Sequence, residues 1–167
     1  MLRPFRGLLP TVDSTAYVDE SAQVIGDVHI GPESSVWMTA VIRGDVHRIR
    51  IGARTNIQDG TIVHVQTGTH PTTIGDEVTI GHGAIIHGCT VEDRCLIGMG
   101  AILLNGVRVG AESIVAAGSL LPEGFQVPPR SLVMGSPAKV RRQLADDEAA
   151  MIRGYAANYV ANRLDYA

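Results

Sequence analysis

Aromatic side chains make up only 4% of this 167-residue chain, so any core must be built from aliphatic residues. Cysteine is scarce too. Cys89 and Cys95 do not form a C-x-x-C pair, and two thiols in a chain of this size make no disulfide framework. They are expected to be reduced core thiols of a cytoplasmic protein. Neither sign of charge is in surplus: 14 Lys and Arg against 17 Asp and Glu give a net charge of −3 and a pI near 6.0. That balance excludes nucleic acid and an anionic membrane surface as natural partners. No run approaches the ~18 continuous apolar residues of a membrane span. The opening "MLRPFRGLLP" has two arginines but no apolar stretch of the kind a secretory signal needs. What is abundant is glycine, with 19 residues and no collagen period, which points to many tight turns. The length suits one domain.

Aliphatic residues recur every six positions. The series runs Val12, Val18, Val24, Ile30, Val36 and Ile42, then restarts at Ile51, Ile57 and Val63. It restarts again at Ile74, Ile80 and Ile86, and a last run goes from Val91 through Ile97, Leu103, Val109, Val115, Leu121 and Val127 to Val133. Four positions on sits a small or modest residue, as at Ala22, Ser34, Ala40, Thr55, Thr61, Ala84, Thr90, Cys95, Ala101, Ser113 and Ser119, with Phe125 the exception. A helix would show spacings of three and four, and a half-exposed strand a period of two. Period six instead predicts an all-β fold, a parallel β-helix of hexapeptide repeats over residues 1–140. Its large side chains fill a triangular prism, its small ones turn the corners, and three units make each eighteen-residue turn. From about Asp146, a plausible N-cap, the period becomes helical. Met151, Ile152, Tyr155, Ala156, Tyr159, Val160 and Leu164 form an apolar stripe. Residues 141–167 are therefore expected as a C-terminal helix packed on the prism.

The clock breaks in three places. Residues bulge out around Asp45 to Arg48, an excursion "VQTGTHPTT" follows His64, and one residue is lost between Ile86 and Val91. Breaks of this kind sit at corners, where binding sites gather. His64 and His87 each take the second position of units one full turn apart, so they should stack on one face about 5 Å apart. That suits two imidazoles converging on one metal. His82 belongs to the preceding face and should reach such a point only from a neighbouring subunit, in a cyclic trimer. Three histidines with an open fourth position would make a catalytic zinc pattern that generates hydroxide near neutral pH. The plain alternative, surface histidines or rung hydrogen-bond partners, is weakened by their stacking beside the breaks.

The segments "VIRGDVHRIRIGARTNIQDGTIVHV", "IGHGAIIHGCTVEDRCLIGMGAILLNG" and "GSPAKVRR" resemble the γ-class carbonic anhydrase-like family of hexapeptide proteins. The resemblance implies a left-handed β-helix homotrimer hydrating CO2 to bicarbonate. Its metal is zinc, with ferrous iron or cobalt as alternatives, held between subunits by His64, His82 and His87. It further implies that Gln58 hydrogen-bonds the metal-bound hydroxide, and that Arg43 and Asp59 pair across the interface with Asp45 in the same network. Tyr159 is carried over as a residue near the site, although its place in the apolar stripe argues first for packing. The chain departs from the family archetype at Val46, where a Glu is expected, and in the loop after His64, which has no carboxylate. His70 in that loop is the candidate substitute proton shuttle; otherwise it is an exposed loop histidine. Two other classes stay open: a hexapeptide acyltransferase or thioesterase, and a non-catalytic trimeric scaffold with a structural metal.

Overall fold

The computed structural model describes residues 1–166. Its chain winds as a left-handed parallel β-helix of about 7 turns, closed by a single C-terminal helix. The six-residue period is what folds it. Every aliphatic of the series from Val24 to Val133 is buried, most of them completely, while Val12 and Val18 in the opening turn are half-buried. Each fully buried Ile, Leu or Val contributes roughly 1.5–3 kcal/mol, so the stacked column supplies the driving force.

One face stacks the strands Tyr17–Val18, Ser35–Val36, Asn56–Ile57, Thr79–Ile80, Leu96–Ile97, Ile114–Val115 and Ser131–Gly135. A second stacks Ile62–His64, Ile85–His87, Ile102–Leu103 and Leu120–Leu121, and a third stacks Thr72–Ile74, Thr90–Val91, Arg108–Val109 and Gln126–Val127. The strand Val41–Ile51 runs unbroken past a corner and joins the second and third faces. Its pairing with Gln23–Ile30 slips between Gly26 and Val28 and resumes at Ile49, which is the bulge expected around Asp45 to Arg48. Val46 in that bulge packs partly buried against the aliphatic core. The excursion after His64 is a compact loop closed by a bridge between Gln66 and His70.

Two corners are turned by glycine and the third is not. One carries glycines at positive φ, Gly60, Gly83, Gly100 and Gly118, and another carries Gly88, Gly106 and Gly124. The remaining corner places non-glycine residues in the same left-handed region: Glu33, Arg54, Glu77, Arg94, Glu112 and Arg130, with φ between 53° and 58°. Their charges alternate in sign along the stack. Arg54 bridges Glu33 and Glu77 at 3.3 Å each, and Arg94 meets Glu112 at 3.1 Å. These groups are half-buried at the surface and still screened by water, so the ladder specifies register more than it adds stability.

Four expectations need correction. The one-residue contraction after Ile86 puts Cys89, not Thr90, at the buried corner position; Thr90 is half-buried and pairs with Thr73 and Arg108. Residues 141–143 are not helix. Ala138–Gln143 is a strand that returns antiparallel along Ser131–Gly135, because Pro137 and its neighbours turn the chain back on the last rung. The helix itself spans Asp146–Asn162, and Asp146 is its first residue rather than its cap. The cap position is Ala145, whose backbone N–H donates to Glu148 Oε2 at 2.9 Å. The buried stripe is also narrower than expected. Ala149, Ile152 and Ala156 are buried, whereas Met151, Tyr155 and Leu164 are exposed. Cys89 and Cys95 are free and buried, and burial pushes both thiols up to about 12. Among the described residues no helix is long and apolar enough to cross a membrane.

Candidate metal centre

Strands Ile62–His64 and Ile85–His87 pair in parallel with His64 opposite His87, so the expected stacking is present. The ring centroids are 5.1 Å apart, and His64 Nδ1 lies 3.1 Å from His87 Nε2. The partners behind each ring decide what these two nitrogens are. His64 Nε2 lies 2.9 Å from Asp45 Oδ1. Burial pushes the Asp45 carboxyl up, but hydrogen bonds from His64 and Arg43 outweigh it and hold the group below the ordinary carboxylate range. An ionised carboxylate only accepts, so His64 Nε2 donates and Nδ1 carries a lone pair. His87 Nδ1 lies 2.8 Å from Asn105 Oδ1, another acceptor, so His87 Nε2 carries a lone pair as well. Two lone pairs aimed at each other at 3.1 Å repel unless a cation, a metal ion or a proton, sits between them. Two nitrogens each ~2.0–2.1 Å from a tetrahedral metal are about 3.3 Å apart, so the residues present fit a metal.

His82 follows the strand Thr79–Ile80 on the preceding face, as expected, and does not join this pair. Its Nδ1 lies 2.6 Å from Asp59 Oδ2, which leaves Nε2 free and pointing away from that anchor. All three histidines therefore have one nitrogen held by an oxygen and one available, the usual arrangement behind metal-ligating imidazoles. Among the described residues no three His, Cys, Asp or Glu side chains of one chain converge to hold a metal.

Within one chain Arg43 is ion-paired with Asp45, and Asp59 with His82, so the expected Arg43–Asp59 pair is not made inside a protomer. Gln58 is buried and donates from Nε2 to Asn56 Oδ1 at 3.1 Å. It shares a cavity of about 320 Å³ with His82, Leu96, Met99, Tyr155 and Tyr159. Tyr159 also packs edge-on against Trp37, with centroids 5.3 Å apart, so it lines this cavity and packs on the prism at once. Burial and then the nearby Asp59 raise its phenol above the usual range. His70 hydrogen-bonds Thr69 rather than either paired histidine, and lines a separate cavity with Asn105 and Glu123. Asn105 and Glu123 were missed by the sequence reading. The signal was available: His87, Asn105 and Glu123 are spaced by 18 residues, one turn of the coil.

Asp45 also gives the fold a pH dependence. Its folded pKa is lowered, so the stability it adds is present above the ordinary carboxylate range near 4 and is lost as pH falls through the lowered value. The urea midpoint of Asp45→Asn is expected to fall less steeply with acidification than that of the parent.

The family model for bacterial transferase hexapeptide repeats matches residues 71–104 and 88–122. Protein YrdA of Escherichia coli is 44% identical over 99% of this chain and 94% of its own. Gamma carbonic anhydrase 1 of Arabidopsis thaliana, a mitochondrial protein, is 51% identical over 90% of this chain. This chain belongs to the γ-class carbonic anhydrase-like family. It spans 56% of the length of that plant relative. Family likeness extends to solved structures. A Bacillus cereus protein described provisionally as an acetyltransferase superposes with a TM-score of 0.96 at 37% identity, covering 99% of this chain and 95% of its own. A hexapeptide transferase family protein of Anaplasma phagocytophilum gives 0.95 at 42%, covering 99% and 98%. Fold and family are thus held in common by relatives named for two different chemistries.

Proposed function

We propose that this γ-class carbonic anhydrase-like protein hydrates CO2 at a metal centre shared between two subunits of a homotrimer. His64 and His87 come from one subunit and His82 from the next. The observation that carries the reading is the facing pair of lone-pair nitrogens, with a third anchored imidazole left facing outward on the neighbouring face. Ile62, beside His64, and Met99, in the His82 cavity, are large apolar side chains exposed in the single chain, as a subunit interface requires. When bound, a zinc, ferrous or cobalt ion would supply Lewis acidity and a water acidic enough to ionise near neutral pH. The chain's own part is orientation. Gln58 has its amide nitrogen engaged by Asn56, which would leave the carbonyl oxygen to accept a hydrogen bond from the attacking hydroxyl and so orient it toward the CO2 carbon. The apolar wall of Leu96, Met99 and Tyr159 suits an uncharged substrate. Across the interface, Arg43 of one subunit and Asp59 of the next form the ion pair that sets register.

The test is stopped-flow CO2 hydration on metal-loaded protein, zinc in air and ferrous iron anaerobically. The loaded parent is expected to be active and the metal-free protein inactive. Gln58→Leu should keep its metal and lose about 10- to 100-fold in rate. Equal activity with and without metal, or an unimpaired Gln58→Leu, would contradict the reading. A second reading, acyl transfer, is favoured by the name of the solved Bacillus cereus relative. Metal-independent consumption of acetyl-CoA would support it. In the same assay His70→Ala is expected to make turnover more dependent on added buffer; an unchanged buffer dependence removes His70 as the shuttle.

A further inference from the structure

The turn after His87 repeats one device three times. His87 precedes Gly88, Asn105 precedes Gly106, and Glu123 precedes Gly124, each glycine at positive φ on the same corner. The three polar side chains are joined in series: His87 Nδ1 to Asn105 Oδ1 at 2.8 Å, and Asn105 Nδ2 to Glu123 Oε1 at 3.1 Å. A carboxylate accepts and cannot donate, so Glu123 requires the NH2 end of the Asn105 amide. That turns the amide oxygen toward His87. The oxygen also only accepts, so the His87 Nδ1 must carry the proton and Nε2 must carry the lone pair. In water a neutral histidine favours the opposite tautomer, so the ladder works against the intrinsic preference. Gly88 makes the room: a Cβ there would lie 2.3 Å from Asn105 Oδ1.

We propose that Glu123 and Asn105 are positioning residues that relay hydrogen-bond polarity along the corner and hold the His87 lone pair toward the metal. The proposal rests on the metal reading above for its purpose, but the tautomer it sets exists in the metal-free protein. Glu123 is exposed, so its replacement should leave the coil intact. Glu123→Lys reverses the polarity. A donor at 123 turns the Asn105 oxygen away and presents its NH2 to His87, which must then become Nε2-protonated. Asn105→Leu removes the relay. The double change Asn105→Asp with Glu123→Lys restores it, because a carboxylate at 105 accepts from both sides.

The experiment has two arms on the full chain at pH 8. The first reads the His87 ring nitrogens of metal-free protein by 15N NMR. The second measures Co2+ affinity by competition. The parent is expected to show His87 protonated at Nδ1. Glu123→Lys should move the proton to Nε2, and Asn105→Leu should abolish the preference for Nδ1. Both should weaken Co2+ binding about 10- to 100-fold, and the double variant should return both readouts toward the parent. A parent whose His87 carries its proton at Nε2 and none at Nδ1, or a tautomer and affinity indifferent to Glu123→Lys, overturns the relay. A tautomer that follows the substitutions in a protein that takes up no Co2+ leaves the relay standing and removes the metal reading instead.

Discussion

His82→Ala is expected to strip the metal from the protein while leaving the coil folded. Replacing one of three ligands with a methyl group should weaken binding by at least about 100-fold, a greater loss than the 10- to 100-fold that follows removal of an outer partner. His64→Ala and His87→Ala should do the same, and CO2 hydration should fall with metal content in all three. The distinguishing point is His82. Among the described residues its side chain is bonded only to Asp59, and it lies on a different face from the paired histidines. If it acts at the same centre, it does so from another subunit. Elemental analysis after dialysis against zinc, with circular dichroism as the check on folding, reads both quantities. Parental metal content in His82→Ala would leave only the two-histidine pair and remove the catalytic reading.

Gly98→Ala should cause a large loss of stability for a small change in side chain. Gly98 follows Ile97 at a place where rungs stack backbone to backbone. An added Cβ would lie 2.4 Å from the Ala117 backbone nitrogen and 2.8 Å from two further backbone atoms of that rung. No side chain is there to swing aside, so the rungs must separate and the Gly98 N–H bond to Val115 O, now 2.8 Å, must stretch. The cost is on the order of 3 kcal/mol, comparable to the ~2–5 kcal/mol expected for hollowing the core with Ile97→Ala. Gly83→Ala provides the contrast. A Cβ there meets nothing within 4 Å, and its only penalty is the positive φ of 66°, at about 1–2 kcal/mol. Urea midpoints rank the three. Equal losses for Gly98→Ala and Gly83→Ala would mean that rung spacing is softer than the packed column implies.

The architecture was legible because one period governs it. A side chain that must be aliphatic every sixth residue leaves a mark that a single sequence displays, and the residues so marked from Val24 to Val133 are all buried. Stacking of His64 on His87 follows from the same arithmetic. What stayed hidden depends on contacts the period does not control. The antiparallel return of Ala138–Gln143 is made after the clock has stopped. Cys89 rather than Thr90 fills a corner because a deletion inside a turn can be absorbed on either side of it. The anchors behind the histidines were only partly visible. Asp45 and Asp59 were picked out by resemblance, but as members of an interface network rather than as hydrogen-bond partners of His64 and His82. Asn105 and Glu123 fall one turn and two turns beyond His87, a spacing that could have been searched once the eighteen-residue turn was known. The alternating charges from Glu33 to Arg130 occupy the third position after successive aliphatics and were equally open to inspection, although nothing in a six-residue hydrophobic pattern draws attention to them.

Subunit mixing tests the shared centre most directly. His82→Ala and His87→Ala chains, each expected to bind no metal alone, are co-refolded in equal amounts, and bound zinc is measured per chain. A centre built from His64 and His87 of one subunit and His82 of the next is complete only where a His82→Ala chain precedes a His87→Ala chain in the ring. Random assembly then restores about one quarter of the parental metal content, with a matching share of CO2 hydration. A mixture that stays empty, or single variants that keep their metal, would contradict a site assembled from two chains.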